Sequence, residues 1–179
     1  MKRTLNLFLL AFFFIHCSRN KTEPVVFPYT GKPNVPASIK ERHDTILNQI
    51  SHFTSLPDSS GKLAIKLKEL MAHHFGEEEE YVLPALGVLP LLANGNLPVE
   101  KEKLVLLIDR FKSNFTHMLA EHQLIKAYLG ELIQMSEKEH HPGLEFFKKE
   151  LDAHASEEEE VFFPTVILIG EYLKMKVEG

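Results

Sequence analysis

Apolar residues recur at every third or fourth position along most of this chain, with polar residues between them. This spacing places the apolar side chains on one face of an α-helix, and no segment alternates strictly as a surface strand would. We predict four helices, at about 37–53, 61–83, 99–138 and 144–176. Proline and glycine mark the breaks, which are residues 56–61, the predicted loop GVLPLLANGNLP, and the turn at 140–143. Four helices with short connections predict an all-α fold, an antiparallel up-down four-helix bundle.

Each predicted helix carries one histidine inside its apolar face: His43, His74, His122 and His154. On the second helix this face contains Leu67, Leu70, His74, Glu78, Tyr81 and Ala85, and on the fourth Phe147, Leu151, His154, Glu158, Val161 and Thr165. A single buried histidine is usually an ordinary core residue. Four of them, one per helix and at comparable depth, favour a shared site in the bundle core.

The second and fourth helices contain the same motif. Residues 74–86 read HFGEEEEYVLPAL and residues 154–166 read HASEEEEVFFPTV. His43 precedes His74 by 31 residues, and His122 precedes His154 by 32. The chain is therefore an internal duplication of one helical hairpin, each half carrying a His…His-x-x-x-Glu unit.

Glu78 and Glu158 each follow a core-facing histidine by four residues, about one helical turn, and so lie on the same face. An unpaired buried carboxylate is costly or becomes protonated. Two carboxylates beside four imidazoles are best explained by bound cations. We predict six metal ligands, the four histidines with Glu78 and Glu158, around two metal ions that share bridging carboxylates. Imidazole with carboxylate suits iron, manganese or zinc.

The other glutamates of the two runs have different expected roles. Glu77 and Glu157 are candidate hydrogen-bond acceptors that fix the histidine tautomers. A solvated surface is the expectation for Glu79, Glu80, Glu159 and Glu160. Glu159 is also the competitor of Glu158 for the ligand position in the second half.

The N-terminus has the pattern of a secretory signal. Lys2 and Arg3 precede an apolar run from Leu5 to Ile15, which is followed by Cys17. A cysteine at this place resembles the lipidated residue of a bacterial lipoprotein, although His16 replaces the usual small residue before it. We predict a signal peptide at 1–16, lipidated Cys17, a proline-rich tether at 17–36 and the helical domain at 37–179. The alternatives are an uncleaved anchor and a plain signal peptide of a secreted protein.

This organisation predicts a protein of the cell envelope, held outside the cytoplasm by a lipid anchor. Without Lys2 and Arg3 the chain has 18 basic and 25 acidic residues. No dense basic tract follows the N-terminus, so nucleic acid is not an expected partner. Cys17 is the single cysteine, which excludes disulfides and thiol catalysis from the domain.

The doubled motif resembles hemerythrin-like proteins, which carry the HHE cation-binding domain. The resemblance covers roughly residues 38–176, and the matching residues are His43, His74, Glu78, His122, His154 and Glu158. It implies a four-helix bundle around a non-haem centre of two iron ions, bridged by the two glutamates and an oxo or hydroxo group.

One position separates the chain from oxygen-carrying hemerythrins. Those proteins have a fifth histidine four residues before the third-helix ligand, where this chain has Met118. His117 lies five residues before His122 and points about 140° away from it. The set of four histidines and two glutamates is closer to relatives that repair iron centres, which are linked to nitric oxide and oxidative stress. The resemblance therefore implies an open coordination position at the metal pair.

Three functions fit these residues. The first is a binding module that captures O₂ or NO, and the second is an enzyme that reduces NO or peroxide or handles iron. The third is a structural bundle stabilised by metal without turnover. The residues identify no dedicated base and no redox partner.

Overall fold

The computed structural model describes residues 31–177, which are predominantly helical and contain no strand. The α-helices are α1 (Ala37–Ser51), α2 (Ser59–Glu77), the short α3 (Leu89–Ala93), α4 (Lys101–Lys138), α5 (Leu144–Glu157) and α6 (Phe163–Val177). A π-helical turn follows α2 at Glu78–Val82, and another joins α5 to α6 at Glu158–Phe162. A 3₁₀ segment, Leu83–Val88, leads into α3.

These elements form the four long helical segments of a bundle, and each segment packs on its neighbours. Helix α1 packs on α2 and α5, α2 packs on α4, and α4 packs on α5 and α6. The all-α four-helix bundle predicted from the apolar spacing is therefore confirmed. The prediction of a plain loop for GVLPLLANGNLP is wrong in its first half, where the 3₁₀ segment and α3 continue the helical path.

The two π-helical turns begin at the glutamates that end the His-x-x-x-Glu motifs. The N–H of Leu83 donates to the carbonyl of Glu78, and the N–H of Phe163 donates to the carbonyl of Glu158. Each donor precedes a proline, which has no N–H and whose ring disfavours the ordinary α-helical bond four residues back. The wider turn therefore occurs at the same place in both halves, and such turns are frequent at functional sites.

The extra residue in the second π-helical turn changes which side chains face the core. A regular helix would bury Val161 and Thr165, as the apolar spacing predicted. Val161 is instead 52% exposed and Thr165 is only partly buried, while Phe163 and Val166 are fully buried. That prediction was wrong because it assumed one α-helical period throughout.

The core consists of two apolar clusters separated by a polar layer. Along α1, Ile39 belongs to one cluster and Ile46 to the other, with His43 between them. Along α4, Met118 and Ile125 belong to different clusters in the same way, on either side of His122. The site residues thus occupy one level of the bundle, shielded from water by packed side chains above and below.

Two glycines permit the turn before α5 and the close packing of α6 on α4. Gly143 has a φ of 116° at the turn before α5, a conformation that glycine adopts without strain. A Cβ atom at Gly170 would lie 2.6 Å from a methyl carbon of Ile108, so α6 approaches α4 closely there. A larger residue at 170 would separate the two helices.

The end of the predicted tether packs on the domain. Val35 contacts the first apolar cluster, and a Cβ atom at Gly87 would lie 2.5 Å or less from the carbonyl oxygens of Lys32 and Asn34. The predicted signal peptide and Cys17 lie outside the described residues, so both stay predictions. Between residues 31 and 177, no helix is long and apolar enough to cross a membrane.

Candidate metal centre

All six predicted ligands meet in the middle of the bundle. His43 comes from α1, His74 from α2, His122 from α4 and His154 from α5, and each is at most 3% exposed. Glu78 and Glu158 are the first residues of the two π-helical turns, and both are fully buried. Each histidine directs its Nε2 atom at one or both carboxylates.

Glu158 divides its two oxygens between two pairs of histidines. Its Oε1 lies 3.1 Å from Nε2 of His154 and 3.4 Å from Nε2 of His43. Its Oε2 lies 3.4 Å from Nε2 of His122. One carboxylate thus serves two sides of the site.

Glu78 divides its oxygens in the same sense. Its Oε1 lies 3.3 Å from Nε2 of His74 and 3.8 Å from Nε2 of His122, and its Oε2 lies 3.6 Å from Nε2 of His43. Two adjoining subsites result. Subsite 1 contains His74 and His122, subsite 2 contains His43 and His154, and the two glutamates lie between them.

The ligand atoms of the site are better placed to bind metal ions than to form hydrogen bonds with one another. Buried atoms without any hydrogen-bond partner include Nε2 of His74 and His154, both oxygens of Glu78 and Oε2 of Glu158. Such unsatisfied atoms are costly unless a cation binds them. Two ligands each about 2.1 Å from one ion, at angles of 90–120°, are about 3.0–3.6 Å apart. Most of the nitrogen–oxygen distances fall in that range, so the residues fit a pair of metal ions.

Without metal, the carboxylates control protonation of the imidazoles. Burial alone would lower the pKa of His122, but Glu158 and Glu78 outweigh burial and raise that pKa to about 10. The pKa values of His43 and His74 are raised for the same reason. Burial opposes ionisation of Glu78, yet His122 and His74 hold its pKa well below the usual range. The metal-free site therefore holds protons where a cation would bind.

Three of the four histidines have a carboxylate on the outer ring nitrogen, Nδ1. The Nδ1 atoms of His43, His74 and His122 lie 2.9, 2.9 and 2.8 Å from oxygens of Glu79, Glu121 and Glu159, respectively. With Nε2 on a metal ion, Nδ1 carries the proton and donates it to this carboxylate, which fixes the tautomer and ring orientation.

His154 is the exception. Its Nδ1 is buried without a hydrogen-bond partner. Glu121 accepts from His74 in one half of the duplication, and the equivalent position in the other half is Arg42. An arginine cannot accept a hydrogen bond from His154. Burial and the positive charges of His43 and Arg42 lower the pKa of His154. The two subsites are therefore chemically unequal.

Aromatic rings cover the sides of the imidazoles. The Phe75 ring stacks on His43 with centroids 4.0 Å apart, and the Phe163 ring lies parallel to His122 at 5.8 Å. Met118, at the position of the fifth histidine of oxygen carriers, is buried and its sulfur accepts a hydrogen bond from Tyr81. At the position of the fifth histidine, the chain therefore has a thioether within an apolar cluster and no imidazole.

A family model of the hemerythrin HHE cation-binding domain matches residues 34–166. The chain belongs to this family. The match includes every residue of the centre described above, begins within the last residues of the predicted tether and ends in the first turn of α6. Family membership implies that the domain binds cations. The searches of curated proteins and of solved structures give no significant match.

The roles expected for the remaining glutamates need correction. Glu79 and Glu159 were predicted as solvated. Each accepts a hydrogen bond from a histidine on the other helix of its own hairpin, His43 or His122. Glu77 and Glu157, predicted as tautomer-fixing acceptors, make no hydrogen bond to the four histidines in the described structure. The prediction considered partners within one helix, whereas the acceptors come from the adjacent helix. Glu121 was missed, because it faces His74 only through the packing of α4 on α2.

Replacing Glu159 with alanine is expected to weaken metal binding without changing the number of bound ions. His122 would lose the carboxylate that orients it, and losses of this kind cost about 10–100-fold in metal affinity. Competition with a chelator of known affinity measures the effect. Glu160→Ala is the matched control, because Glu160 is exposed and contacts no histidine of the centre. Complete metal loss in Glu159→Ala would instead identify Glu159 as a ligand.

Proposed function

We propose that this hemerythrin domain binds two iron ions and captures O₂, NO or a related small oxidant at the open side of the pair. The observation that carries this proposal is the division of the Glu78 and Glu158 oxygens between two pairs of histidines. Carboxylates placed in this way suit a bridge between two cations. Iron held by imidazole and carboxylate, with a free coordination position, supplies binding and redox chemistry for small oxygen and nitrogen ligands.

The protein residues contribute charge, orientation and exclusion of water. The two buried carboxylates offset positive charge in a site that packed side chains shield from solvent. Glu79, Glu121 and Glu159 hold three imidazoles in the tautomer that leaves Nε2 free for a metal. Phe75 and Phe163 limit movement of the rings they cover. The centre is therefore organised before any ligand arrives.

A pocket beside subsite 2 offers access for a small ligand. This pocket of about 150 Å³ is lined by residues that include the exposed Ser38 and Glu157 and the buried His154. Phe162 and the aliphatic side chain of Ile39 form further parts of its wall. The volume is several times the roughly 30 Å³ occupied by one water molecule, which is enough for a diatomic ligand. His154, the imidazole without a carboxylate on Nδ1, is one of its lining residues.

Iron content and the optical spectrum of aerobically purified protein test the proposal. We expect about two tightly held irons per chain and near-ultraviolet bands of an oxo-bridged pair, as the two-carboxylate bundle site suggests. Zinc or manganese in their place, or no metal, would contradict it. Mixing the reduced protein with O₂, NO and peroxide then separates binding from turnover. A stable adduct supports a carrier or scavenger, whereas repeated consumption supports a reductase.

A further inference from the structure

A second pair of His-x-x-x-Glu motifs lies on the outer surface of the α2–α4 helix pair. His73 and Glu77 lie one turn apart on α2, and His117 and Glu121 lie one turn apart on α4. His73 and Glu121 each precede a core-facing histidine, His74 or His122, by one residue, which places them about 100° around the helix from it. We call these four residues, His73, Glu77, His117 and Glu121, the outer cluster.

The four side chains converge although they come from two helices. His73, Glu77 and Glu121 each offer a ligand atom within 4.8 Å of the other two. The Nε2 atom of His117 lies 3.7 Å from Oε2 of Glu77 and 3.5 Å from Oε1 of Glu121. His73, Glu77 and Glu121 can therefore hold one ion together, and His117 lies beside both carboxylates as a candidate fourth ligand.

The burial of the carboxylates distinguishes this cluster from an ordinary charged surface. The Glu121 side chain is only 9% exposed, and Oε2 of Glu77 is buried without a hydrogen-bond partner. Within the described residues, the ion pairs of both glutamates are with histidines only. The positive charge of Arg110 offsets part of the charge of Glu77. Two carboxylates this close together in a partly buried place still favour a bound cation.

The duplicated half supplies a natural comparison. The positions equivalent to His73, Glu77, His117 and Glu121 are occupied by Ala153, Glu157, Ser38 and Arg42. Arg42 brings a positive charge to the place of Glu121, and neither Ala153 nor Ser38 can replace an imidazole ligand. The outer cluster is therefore a feature of one face of the bundle and does not follow from the duplicated fold.

We propose that the outer cluster binds one divalent transition-metal ion, separate from the pair in the bundle core. Two imidazoles with two carboxylates suit zinc, ferrous iron or manganese. Glu121 connects the two sites, because its Oε1 faces the outer cluster while its Oε2 accepts from Nδ1 of His74. An ion arriving at the surface is thus held one carboxylate away from a histidine of the inner centre. The proposal does not depend on which metals occupy that centre.

A third group of potential ligands, whose residues are partly buried, lacks these properties. Asp58, Glu139 and His141 lie together near the other end of the bundle. There Asp58 pairs with His141, and Glu139 accepts from both the backbone N–H and the hydroxyl of Ser60. Those contacts already bind the carboxylates to the helix ends, so this group carries no proposal.

Metal titration of the chelator-treated protein with Zn²⁺ tests the outer site. We expect three equivalents in the wild type: two held tightly and one removed by a mild chelator. The double variant His73→Ala/His117→Ala should lose the weaker equivalent and keep the two tight ones. The control His52→Ala/His140→Ala removes two exposed histidines elsewhere and should bind three. Equal stoichiometry in the wild type and the double variant would overturn the proposal.

A variant of the inner centre separates failure of this proposal from failure of the proposed function. Glu158→Ala should lose the tight equivalents and still bind one Zn²⁺ through the outer cluster, and adding His73→Ala/His117→Ala should abolish that binding. If the wild type binds a single ion that only the outer substitutions remove, the outer site stands and the inner proposal fails. If the wild type binds two ions that the outer substitutions leave in place, the proposal for the inner centre stands and the outer site fails.

Discussion

Replacing Glu158 with alanine is expected to abolish binding of the two metal ions that we propose for the core of this hemerythrin domain. Its two oxygens face His43 and His154 on one side and His122 on the other, at 3.1–3.4 Å. Removing this carboxylate therefore takes a ligand from each subsite and leaves the remaining cationic charge with a single buried counter-ion, Glu78. Breaking a buried charge arrangement in this way costs several kcal/mol, enough to reduce binding by orders of magnitude.

The measurement is metal content after treatment with a mild chelator, which removes loosely held surface ions. Glu160→Ala is the matched control, since this residue belongs to the same run and is exposed. It should keep both tight ions and the optical spectrum of the wild type. Retention of one tight ion in Glu158→Ala would show that Glu78 and three histidines suffice for one subsite. Equal loss in both variants would mean that the assignment of the inward-facing glutamate is wrong.

Much of this arrangement could be predicted from the sequence because the relevant signals are local. The three-to-four spacing identified the helices, and the position four residues after a histidine placed Glu78 and Glu158 on the core face. Both features depend only on the helical period, and the structure brings all six predicted ligands together. The duplication added the strongest constraint, since it required two hairpins to present equivalent residues at one level of the bundle.

The parts that were missed depend on contacts between helices. Glu79 and Glu159 lie on the edge of their own helix and reach a histidine only because the neighbouring helix packs beside them. Glu121 reads as a surface residue until α2 covers it. No single-helix argument contains that information.

The π-helical turns were missed for a different reason. Each depends on a proline six residues after the ligand glutamate, which changes the hydrogen bonding of the preceding turn. A proline within a helix usually ends or kinks it, whereas at Pro84 the result is a gain of one residue in the turn. Beyond Glu158 this gain moved the buried positions from Val161 to Phe163. A fixed helical period fails where one inserted residue changes the register.

Removing metal is expected to make the stability of the protein decrease as the pH rises through the neutral to alkaline range. In the metal-free protein, the pKa of His122 is raised from 6.5 to about 10, and those of His43 and His74 are also raised. The folded state then binds more protons than the unfolded state above pH 6.5. Stability should therefore be fully present below that pH and decrease as the pH rises toward about 10.

The acid side of the profile has the opposite sign. The pKa of Glu78 is held below its usual value, so its contribution is present above about pH 4.5 and is lost on acidification. His154, whose pKa is lowered, acts in the same direction because acid must charge a buried imidazole. The contribution of His154 is lost below about pH 6.5 and those of the other three histidines above it, so the metal-free protein should be most stable near pH 6.5.

The metal-loaded protein should behave differently, because metal binding requires every ligand nitrogen to be unprotonated. Its stability should increase from pH 5 toward neutrality as protons cease to compete with the metal, and it should not fall between pH 6.5 and 9. Urea unfolding across pH, with and without a strong chelator, measures both profiles. Each pKa unit corresponds to about 1.4 kcal/mol, so His122 alone can change the free energy of unfolding by several kcal/mol. A metal-free profile that stays flat from pH 6.5 to 9 would show that Glu78 and Glu158 do not hold protons on these histidines. In that case the empty centre would be assembled by packing, with electrostatics contributing only once metal is bound.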